Sequence, residues 1–311
     1  MRTLTSRQIK KLYFGSKGST GANRISELKR AGLIKPNKVI RNGHKDDTCY
    51  YISPAGMRAI GQKGDRPRKN FEITKRRIEK SSLELQDYYI MRSEIYATLS
   101  PEWYWEDSRE VKVQQRLNFS SLIAGTLRHG DNTYAVYLML HSPEETTLRR
   151  VHDEIFYNRA AGRFEQAFIL CVNEDTIDKI IASYRPGPIF VLPYQPGLKM
   201  LALNEPPYSL LARVYGEHPD NTTTRRYARY ETVINGESCL VNQLLYNNLD
   251  SISAMRYYTK DIYLKEKLRL IVLVEKGRLD YYTRIFTPEN YPHFVWETVD
   301  IEALYQEKVR L

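Results

Sequence analysis

The residues best suited to chemistry near the N terminus belong to a polar, basic segment around Asn23 and Arg24. Asparagine can form two hydrogen bonds with adenine and arginine two with guanine, so this pair suits the reading of base edges in DNA. Thr20 would extend the same surface. Phosphate contacts, which position a protein without reading sequence, are expected from Lys17, Arg30, Arg41 and Lys45. The alternative interpretation is that Asn23 and Arg24 are merely exposed helix residues.

Few other residues have the spacing of a catalytic or metal site. The cysteines Cys49, Cys171 and Cys239 are scattered, form no CxxC pair, and form no cluster with the six histidines, which argues against zinc and against a disulfide framework. The sequence contains no His-x-His, GxxxxGK[ST], HExxH or GxSxG motif. We therefore expect no cofactor, and no nucleophile can be singled out among the 24 tyrosines. The aromatic group Trp103–Trp105 would suit either base stacking or the edge of a core.

Charge is distributed unevenly along the chain. Residues 1–80 contain 21 lysines and arginines but only 6 acidic residues, a balance of +15, and the remainder has a balance of −5. A cationic segment of this size attracts a polyanion such as DNA, although a solvated basic surface without a partner is the alternative. The sequence lacks a signal-peptide core and any long apolar run. These features favour a cytoplasmic protein without a membrane partner.

The order of predicted elements in residues 1–62 is that of a winged helix-turn-helix. Two helices come first, then a two-stranded wing, then a closing helix. In chain order, the signals are a helix from Ser6 to about Phe14 capped by Thr5, a helix Ala22–Arg30 ended by Gly32, a strand from Leu33, an Asn42-Gly43 turn, a strand Thr48–Ile52, and a helix opened by Ser53-Pro54.

The remaining sequence predicts a mixed α/β fold (α/β or α+β) behind a basic linker at 63–82. We assign 83–205 to one α/β domain and 206–311 to an additional α/β segment. Predicted strands are Val111–Leu117, Thr133–Leu140, Ala167–Val172, Ile189–Leu192, Tyr227–Ile234, Leu270–Val274 and His293–Glu297. Predicted helices are Leu83–Leu99, Ser142–Asn158, Glu174–Tyr184, Val241–Leu249 and Ser251–Tyr258.

A faint internal similarity links the 206–311 segment to the region before it. Tyr134–Tyr137 resembles Tyr227–Tyr230, and Phe168–Val172 resembles Ile271–Val274 at a similar distance along the chain. A pseudo-repeat would explain this echo, but chance similarity is the favoured explanation.

The order of elements resembles the replication-relaxation family of plasmids and other mobile elements. The resemblance covers roughly residues 3–195. It is carried by Leu4–Leu12, by the phrases Leu-Lys-Arg-Ala-Gly-Leu-Ile and Tyr-Tyr-Ile-Ser-Pro-Ala-Gly, by the helix Leu83–Leu99, and by Arg128–Asp131 in place of the family's Arg-Pro-Asp. It implies a winged helix followed by a domain similar to restriction endonucleases of the PD-(D/E)XK type.

The nuclease site that this resemblance implies is incomplete. Such a site needs an acid before a strand and an acid-x-Lys group along it, so that carboxylates can hold Mg²⁺. Asp131 would be the first acid, but the strand Tyr134–Leu140 has neither acid nor lysine, and Glu110-Val111-Lys112 precedes Asp131. We therefore expect no working catalytic or metal site and treat Asp131 as a possible vestige.

These observations predict a non-catalytic, double-stranded DNA-binding accessory or initiator protein of plasmid or mobile-element replication or mobilisation. Its expected partners are duplex DNA, a relaxase or replication protein, and a second copy of the chain in a homodimer. The alternatives are a Mg²⁺-dependent nickase or nuclease that uses Asp131, and a winged-helix transcription regulator.

Overall fold

The computed structural model describes residues 4–13, 20–41, 44–59, 83–99, 102–140, 143–203, 221–234 and 236–310. The chain divides into two compact units, unit 1 (Met1–Asp107) and unit 2 (Ser108–Leu311). The described residues form a mixed α/β structure with three β-sheets, which confirms the predicted α/β class. The unit boundary differs from the sequence assignment, which began the second domain at residue 83.

Unit 1 contains helices and strands close to those predicted for its first 60 residues. Its sheet has the order β1-β3-β2, with both strand pairs antiparallel. Its elements are β1 (Leu4–Thr5), α1 (Ser6–Tyr13), α2 (Thr20–Arg30), β2 (Ile34–Arg41), β3 (His44–Ile52), α3 (Pro54–Ala59), α4 (Leu83–Leu99) and β4 (Tyr104–Asp107). The predicted Asn42-Gly43 turn and the 63–82 linker lie outside the described residues.

A reciprocal pair of hydrogen bonds begins α1. The backbone amide of Thr5 donates to Oε1 of Gln8 at 2.8 Å, and the amide of Gln8 donates to Oγ1 of Thr5 at 3.2 Å. This is a capping box, in which two residues three apart satisfy each other's free amides. Nε2 of Gln8 also donates to the carbonyl of Ile90 at 3.2 Å. The same side chain therefore starts α1 and attaches it to α4.

The end of α2 and the start of α3 are joined. Gly32 has a φ of +70°, the left-handed conformation with which helices commonly end. The hydroxyl of Ser53 donates to the carbonyl of Gly32, and it accepts the amide of Gly56 at 3.0 Å. The predicted roles of Gly32 at the end of α2 and of Ser53 at the start of α3 are confirmed.

Helix α4 belongs to unit 1, although the sequence assignment placed it in the second domain. Its buried residues, Ser93, Ile95, Ala97 and Leu99, do not share one helical face, so α4 is packed on more than one side. Trp103 and Trp105 are also buried, with 7% and 8% of their surface exposed. Their indole faces are therefore not open for base stacking.

The first half of unit 2 (residues 108–203) combines a hairpin with parallel strands. Strands β5 to β8 lie side by side in chain order; β5 and β6 are antiparallel, while β6–β7 and β7–β8 are parallel. Its elements are α5 (Ser108–Gln114), β5 (Gly125–His129), β6 (Asn132–Met139), α6 (Glu145–Ala160), β7 (Gln166–Cys171), α7 (Glu174–Ser183), β8 (Ile189–Pro193) and α8 (Tyr194–Leu203).

The second half of unit 2 (residues 221–310) forms a sheet of order β13-β12-β11-β10-β9. Strands β9, β10 and β11 are antiparallel neighbours, and β11, β12 and β13 are parallel. Its elements are β9 (Asn221–Thr222), β10 (Tyr230–Ile234), β11 (Glu237–Gln243), α9 (Leu249–Met255), α10 (Lys260–Glu266), β12 (Arg269–Glu275), a 3-10 helix (Lys276–Arg278), α11 (Leu279–Ile285), β13 (Phe294–Val299) and α12 (Ile301–Arg310).

Two predicted elements are wrong. The predicted strand Val111–Leu117 falls on helix α5. Val111 is buried but Val113 is 60% exposed, so the alternating apolar residues do not lie on one buried face as they would in a strand. The predicted helix Val241–Leu249 is the end of β11 followed by a turn. There the chain is buried continuously from Cys239 to Leu245, and a strand buried on both faces carries no period that separates it from a helix.

The two halves of unit 2 repeat one order of elements. Each has an antiparallel hairpin, helical structure, a parallel strand, a further helix, a second parallel strand and a closing helix. The echo between Phe168–Val172 and Ile271–Val274 joins equivalent strands, β7 and β12. The echo between Tyr134 and Tyr227 does not, because Tyr134 lies in β6 whereas Tyr227 precedes β10.

A buried histidine in the second half predicts a dependence of stability on pH. His293 is 2% exposed, its Nε2 lies 2.7 Å from the carbonyl of Tyr258, and its ring stacks on Tyr263. Burial lowers the pKa of His293 below 6.5. The unfolded chain therefore binds the proton more readily, so this contribution to stability is present above pH 6.5 and is lost as the pH falls through the lower pKa of the folded state.

We expect the free energy of unfolding to fall between pH 6.5 and lower pH by at most about 1.4 kcal/mol per pH unit from this residue. In His293→Gln, whose amide can still donate to Tyr258, that part of the slope should vanish. Urea unfolding of both proteins across this pH range measures the difference. Identical slopes would contradict the prediction.

Candidate nucleic-acid interface

Helix α2 has a buried side and a polar side. Gly21 and Ile25 are buried and Leu28 is partly buried, and their spacing places them together on one side. Asn23 and Arg30 are exposed. Because successive residues turn by about 100° along a helix, these two lie together on the opposite side. Unit 1 therefore presents an amide and a guanidinium to solvent from one helix.

Arg24 lies beside this polar side and is held by an acid of the same helix. Its Nη1 is 2.8 Å from Oε2 of Glu27, three residues along, and the two side chains are 60% and 52% exposed. An ion pair so exposed to water contributes little to stability. Its guanidinium can therefore exchange this carboxylate for another hydrogen-bond acceptor at small cost.

The remaining predicted contact residues are only partly described. Thr20 begins α2, and Arg41 and Lys45 lie at the tip of the β2–β3 hairpin, where Arg41 pairs with His44 and Ile40 with Lys45. The side chains of Thr20, Arg41 and Lys45 lie outside the described set, as does the whole of Lys17. Thr20, Asn23, Arg24 and Arg30 thus all lie on α2, and the backbones of Arg41 and Lys45 lie on the β2–β3 hairpin.

Several exposed basic residues of unit 1 were not singled out in the sequence. These are Arg7 and Lys11 on α1, Lys29 on α2, and Lys35 on β2. The charge excess of residues 1–80 signals them only as a group, because their individual exposure depends on how α1 and β2 pack. Glu27 was also missed, although its spacing from Arg24 is that of a helical ion pair.

The residues of the proposed nuclease vestige do not form an acid-x-Lys strand. Asp131 is exposed in the turn between β5 and β6, next to Gly130 with its φ of +55°. Glu110 and Lys112 lie on helix α5, where Nζ of Lys112 donates to the carbonyls of Phe119 and Ser121 at 3.2 and 2.7 Å. Among the described residues, no three or more histidine, cysteine, aspartate or glutamate side chains are grouped so that they could hold a metal ion.

No helix within the described ranges combines the length and apolar character needed to cross a membrane. No protein-family model matches the chain, and neither a curated protein nor a solved structure shows significant similarity to it.

Proposed function

We propose that unit 1 is a winged helix-turn-helix that binds double-stranded DNA with α2 in the major groove. The observation that supports this most directly is the orientation of α2, which buries Ile25 and exposes Asn23, Arg24 and Arg30. The order helix, helix, antiparallel hairpin and helix is the one in which such proteins present a recognition helix. The hairpin β2–β3 then lies along the DNA backbone as the wing.

The residues of α2 have distinct roles in this proposal. Asn23 reads adenine, and Arg24 reads guanine after leaving Glu27. The released Glu27 carboxylate is an acceptor suited to the amino group of cytosine. Arg30 and Lys29, in the last turn, contact phosphates, as do Arg7 and Lys11 of α1.

The wider role that we propose follows from the family resemblance of the sequence. The protein acts as a non-catalytic accessory or initiator protein in the replication or mobilisation of a plasmid or other mobile element, together with a relaxase or replication protein. Selection of fragments bound by the full chain from the DNA of its own element tests this role. Enrichment of an origin or transfer region supports it, and random recovery of fragments contradicts it.

Two substitutions separate sequence reading from phosphate contact. At the selected duplex, Asn23→Ala should weaken binding by about 5- to 150-fold, because a two-bond base contact is lost. On unrelated duplexes the same variant should bind like the wild type. Arg30→Ala should weaken binding to every duplex alike and reduce the slope of log K against log salt concentration by about 0.9.

Fluorescence anisotropy with labelled duplexes at several salt concentrations measures both effects. Arg284→Ala, which removes an equal charge from an exposed site on α11 of unit 2, is the matched control and should bind as the wild type does. If Asn23→Ala and Arg30→Ala behave like Arg284→Ala, α2 does not face DNA.

A further inference from the structure

Unit 2 carries an open cleft of about 620 Å³ between the segment that precedes β5 and the outer side of α6. Arg149, Asp153 and Tyr157 line it from α6, where they follow one another at intervals of four residues. Arg116 lines it from the preceding segment and Arg163 from the end of α6. Its volume lies within the range of about 300–1,000 Å³ that is usual for small-ligand sites.

Two charged residues of this cleft are used by the fold itself. The carboxylate of Glu154 accepts the hydroxyl of Ser121 at 2.8 Å and the amide of Leu122 at 3.0 Å, and it lies 3.7 Å from Nε of Arg150. These contacts fix the cleft wall, and their charges offset each other. The other charged lining residues are Arg116, Arg149, Arg163 and Asp153, and Arg149 also lies 3.9 Å from Oε1 of Glu145 in an ion pair that is exposed to water. The cleft is therefore cationic.

An exposed aromatic ring lies within the same cleft. Tyr157 is 66% exposed, and the guanidinium carbon of Arg163 lies 5.3 Å from its ring centroid. An exposed tyrosine ring offers a flat surface on which a nucleic-acid base can stack. A ring beside arginines is the combination on which unpaired bases stack while their phosphates meet cations.

The second half of unit 2 has a cationic cleft in the equivalent place. This cleft, of about 360 Å³, lies between the segment that precedes β10 and helix α9, the first helix after the hairpin. Arg226, Arg229 and Asp250 supply its charges. Burial raises the pKa of the Asp250 carboxyl, and the guanidinium groups of Arg159 and Arg229 act in the opposite direction.

Arg159 on α6 is not part of the first cleft. It follows Tyr157 by two residues, so it faces the other side of the helix, and its guanidinium acts on the Asp250 carboxyl of the second cleft. Each half of unit 2 therefore supplies arginines to a cleft of its own. We call the arginines that line the two clefts the arginine track, leaving out Arg150, which pairs with Glu154; its members are Arg116, Arg149, Arg163, Arg226 and Arg229.

We propose that the arginine track binds single-stranded DNA, with phosphates against the arginines and an unpaired base stacked on Tyr157. Single-stranded DNA fits better than duplex because the face of a base is available to Tyr157 only when the base is not stacked within a helix. This inference does not depend on duplex binding by unit 1, which uses other residues.

The test measures binding of the full chain to a labelled oligothymidylate by fluorescence anisotropy. Tyr157→Ala should raise its Kd by about fivefold or more, because base stacking is lost, whereas Tyr157→Phe, which keeps the ring, should bind like the wild type. The double variant Arg226→Ala/Arg229→Ala should weaken binding and reduce the salt slope by about 1.4. Arg284→Ala should change neither quantity.

Two comparisons assign the site. Tyr157→Ala should leave affinity for duplex DNA unchanged, and Arg30→Ala should leave affinity for oligothymidylate unchanged. The proposal is overturned if Tyr157→Ala binds oligothymidylate as tightly as Tyr157→Phe does, or if Arg30→Ala weakens oligothymidylate binding as much as the track variants do. Weaker duplex binding together with unchanged oligothymidylate binding in Arg30→Ala would show that the two sites are separate.

Discussion

Replacement of Gly56 by alanine is expected to destabilise unit 1 by about 3 kcal/mol or more, at the upper end of what overpacking costs. A Cβ atom at this position would lie 2.2 Å from the carbonyl oxygen of Leu33 and 2.7 Å from Cγ1 of Ile52. The first contact is with backbone, which cannot turn aside as a side chain can. Ser53 holds the same region, since its amide donates to Leu33 O at 2.9 Å. The start of α3 therefore cannot move away from Leu33 without breaking this hydrogen bond.

Gly32→Ala is the matched control for this substitution. Gly32 has positive φ but nothing within 4 Å of an added Cβ, so its replacement costs only the left-handed conformation, about 1–2 kcal/mol. Hydrogen exchange of peptides from α1 to α3 should accelerate far more in Gly56→Ala than in Gly32→Ala, while peptides of unit 2 keep their wild-type exchange. Equal exchange in the two variants would show that α3 can move away from Leu33.

The helices and strands of unit 1 could be predicted because their boundaries have local causes. Thr5 and Ser53 each accept a backbone amide three residues along at the start of a helix, and Gly32 ends α2 through its own left-handed conformation. The close approach of Gly56 to Leu33 is different, since it joins residues 23 positions apart. In the sequence, Gly56 is only the last residue of a phrase that resembles a family. Nothing near it in the chain shows that a side chain at this position would clash with Leu33.

The errors in unit 2 arose where burial removes periodicity. Residues of β11 are buried on both faces, so Val241 and its neighbours carry no alternation that would identify a strand. In α5 the opposite occurred, because Val111 and Val113 alternate in sequence while only Val111 is buried. Both distinctions depend on neighbours that are distant in the chain.

The candidate sites show the same limit. Asn23 and Arg24 could be proposed because a recognition helix is continuous in sequence, although the pairing of Arg24 with Glu27 was not foreseen. The arginine track includes residues as far apart in the chain as Arg116 and Arg229, more than 100 positions. None of its arginines belongs to a recognisable sequence motif. Only the repeated fold of unit 2 places them in equivalent clefts.

Asn247 forms a buried bridge between the repeated halves, and its replacement should cost about as much as that of Gly56. Asn247 is 1% exposed, has a φ of +44°, donates from Nδ2 to the carbonyl of Val191 at 2.6 Å, and accepts the hydroxyl of Tyr282 at 2.6 Å. Its amide thus joins β8 of the first half to α11 of the second. Asparagine also tolerates the left-handed conformation better than most residues do.

Asn247→Ala should lower the free energy of unfolding by about 3–7 kcal/mol. Two buried polar groups lose their partner at about 1–3 kcal/mol each, and the positive φ adds about 1 kcal/mol. This is a large part of the about 5–15 kcal/mol that stabilises a typical protein. Asn247→Gly also lacks the amide but adopts the positive φ without strain. It should therefore be about 1 kcal/mol more stable than Asn247→Ala, as measured by urea unfolding followed by circular dichroism.

A double-mutant cycle with Tyr282→Phe separates the hydrogen bond from the cavity. Tyr282 is fully buried, and its hydroxyl is bonded to Asn247. In the wild-type background Tyr282→Phe leaves the Asn247 carbonyl without that donor and is expected to cost about 1 kcal/mol. In the Asn247→Ala background the hydroxyl is already unpaired, so its removal should be neutral or stabilising. Strictly additive costs would show that the two side chains do not interact, and the amide could not then be what couples the halves.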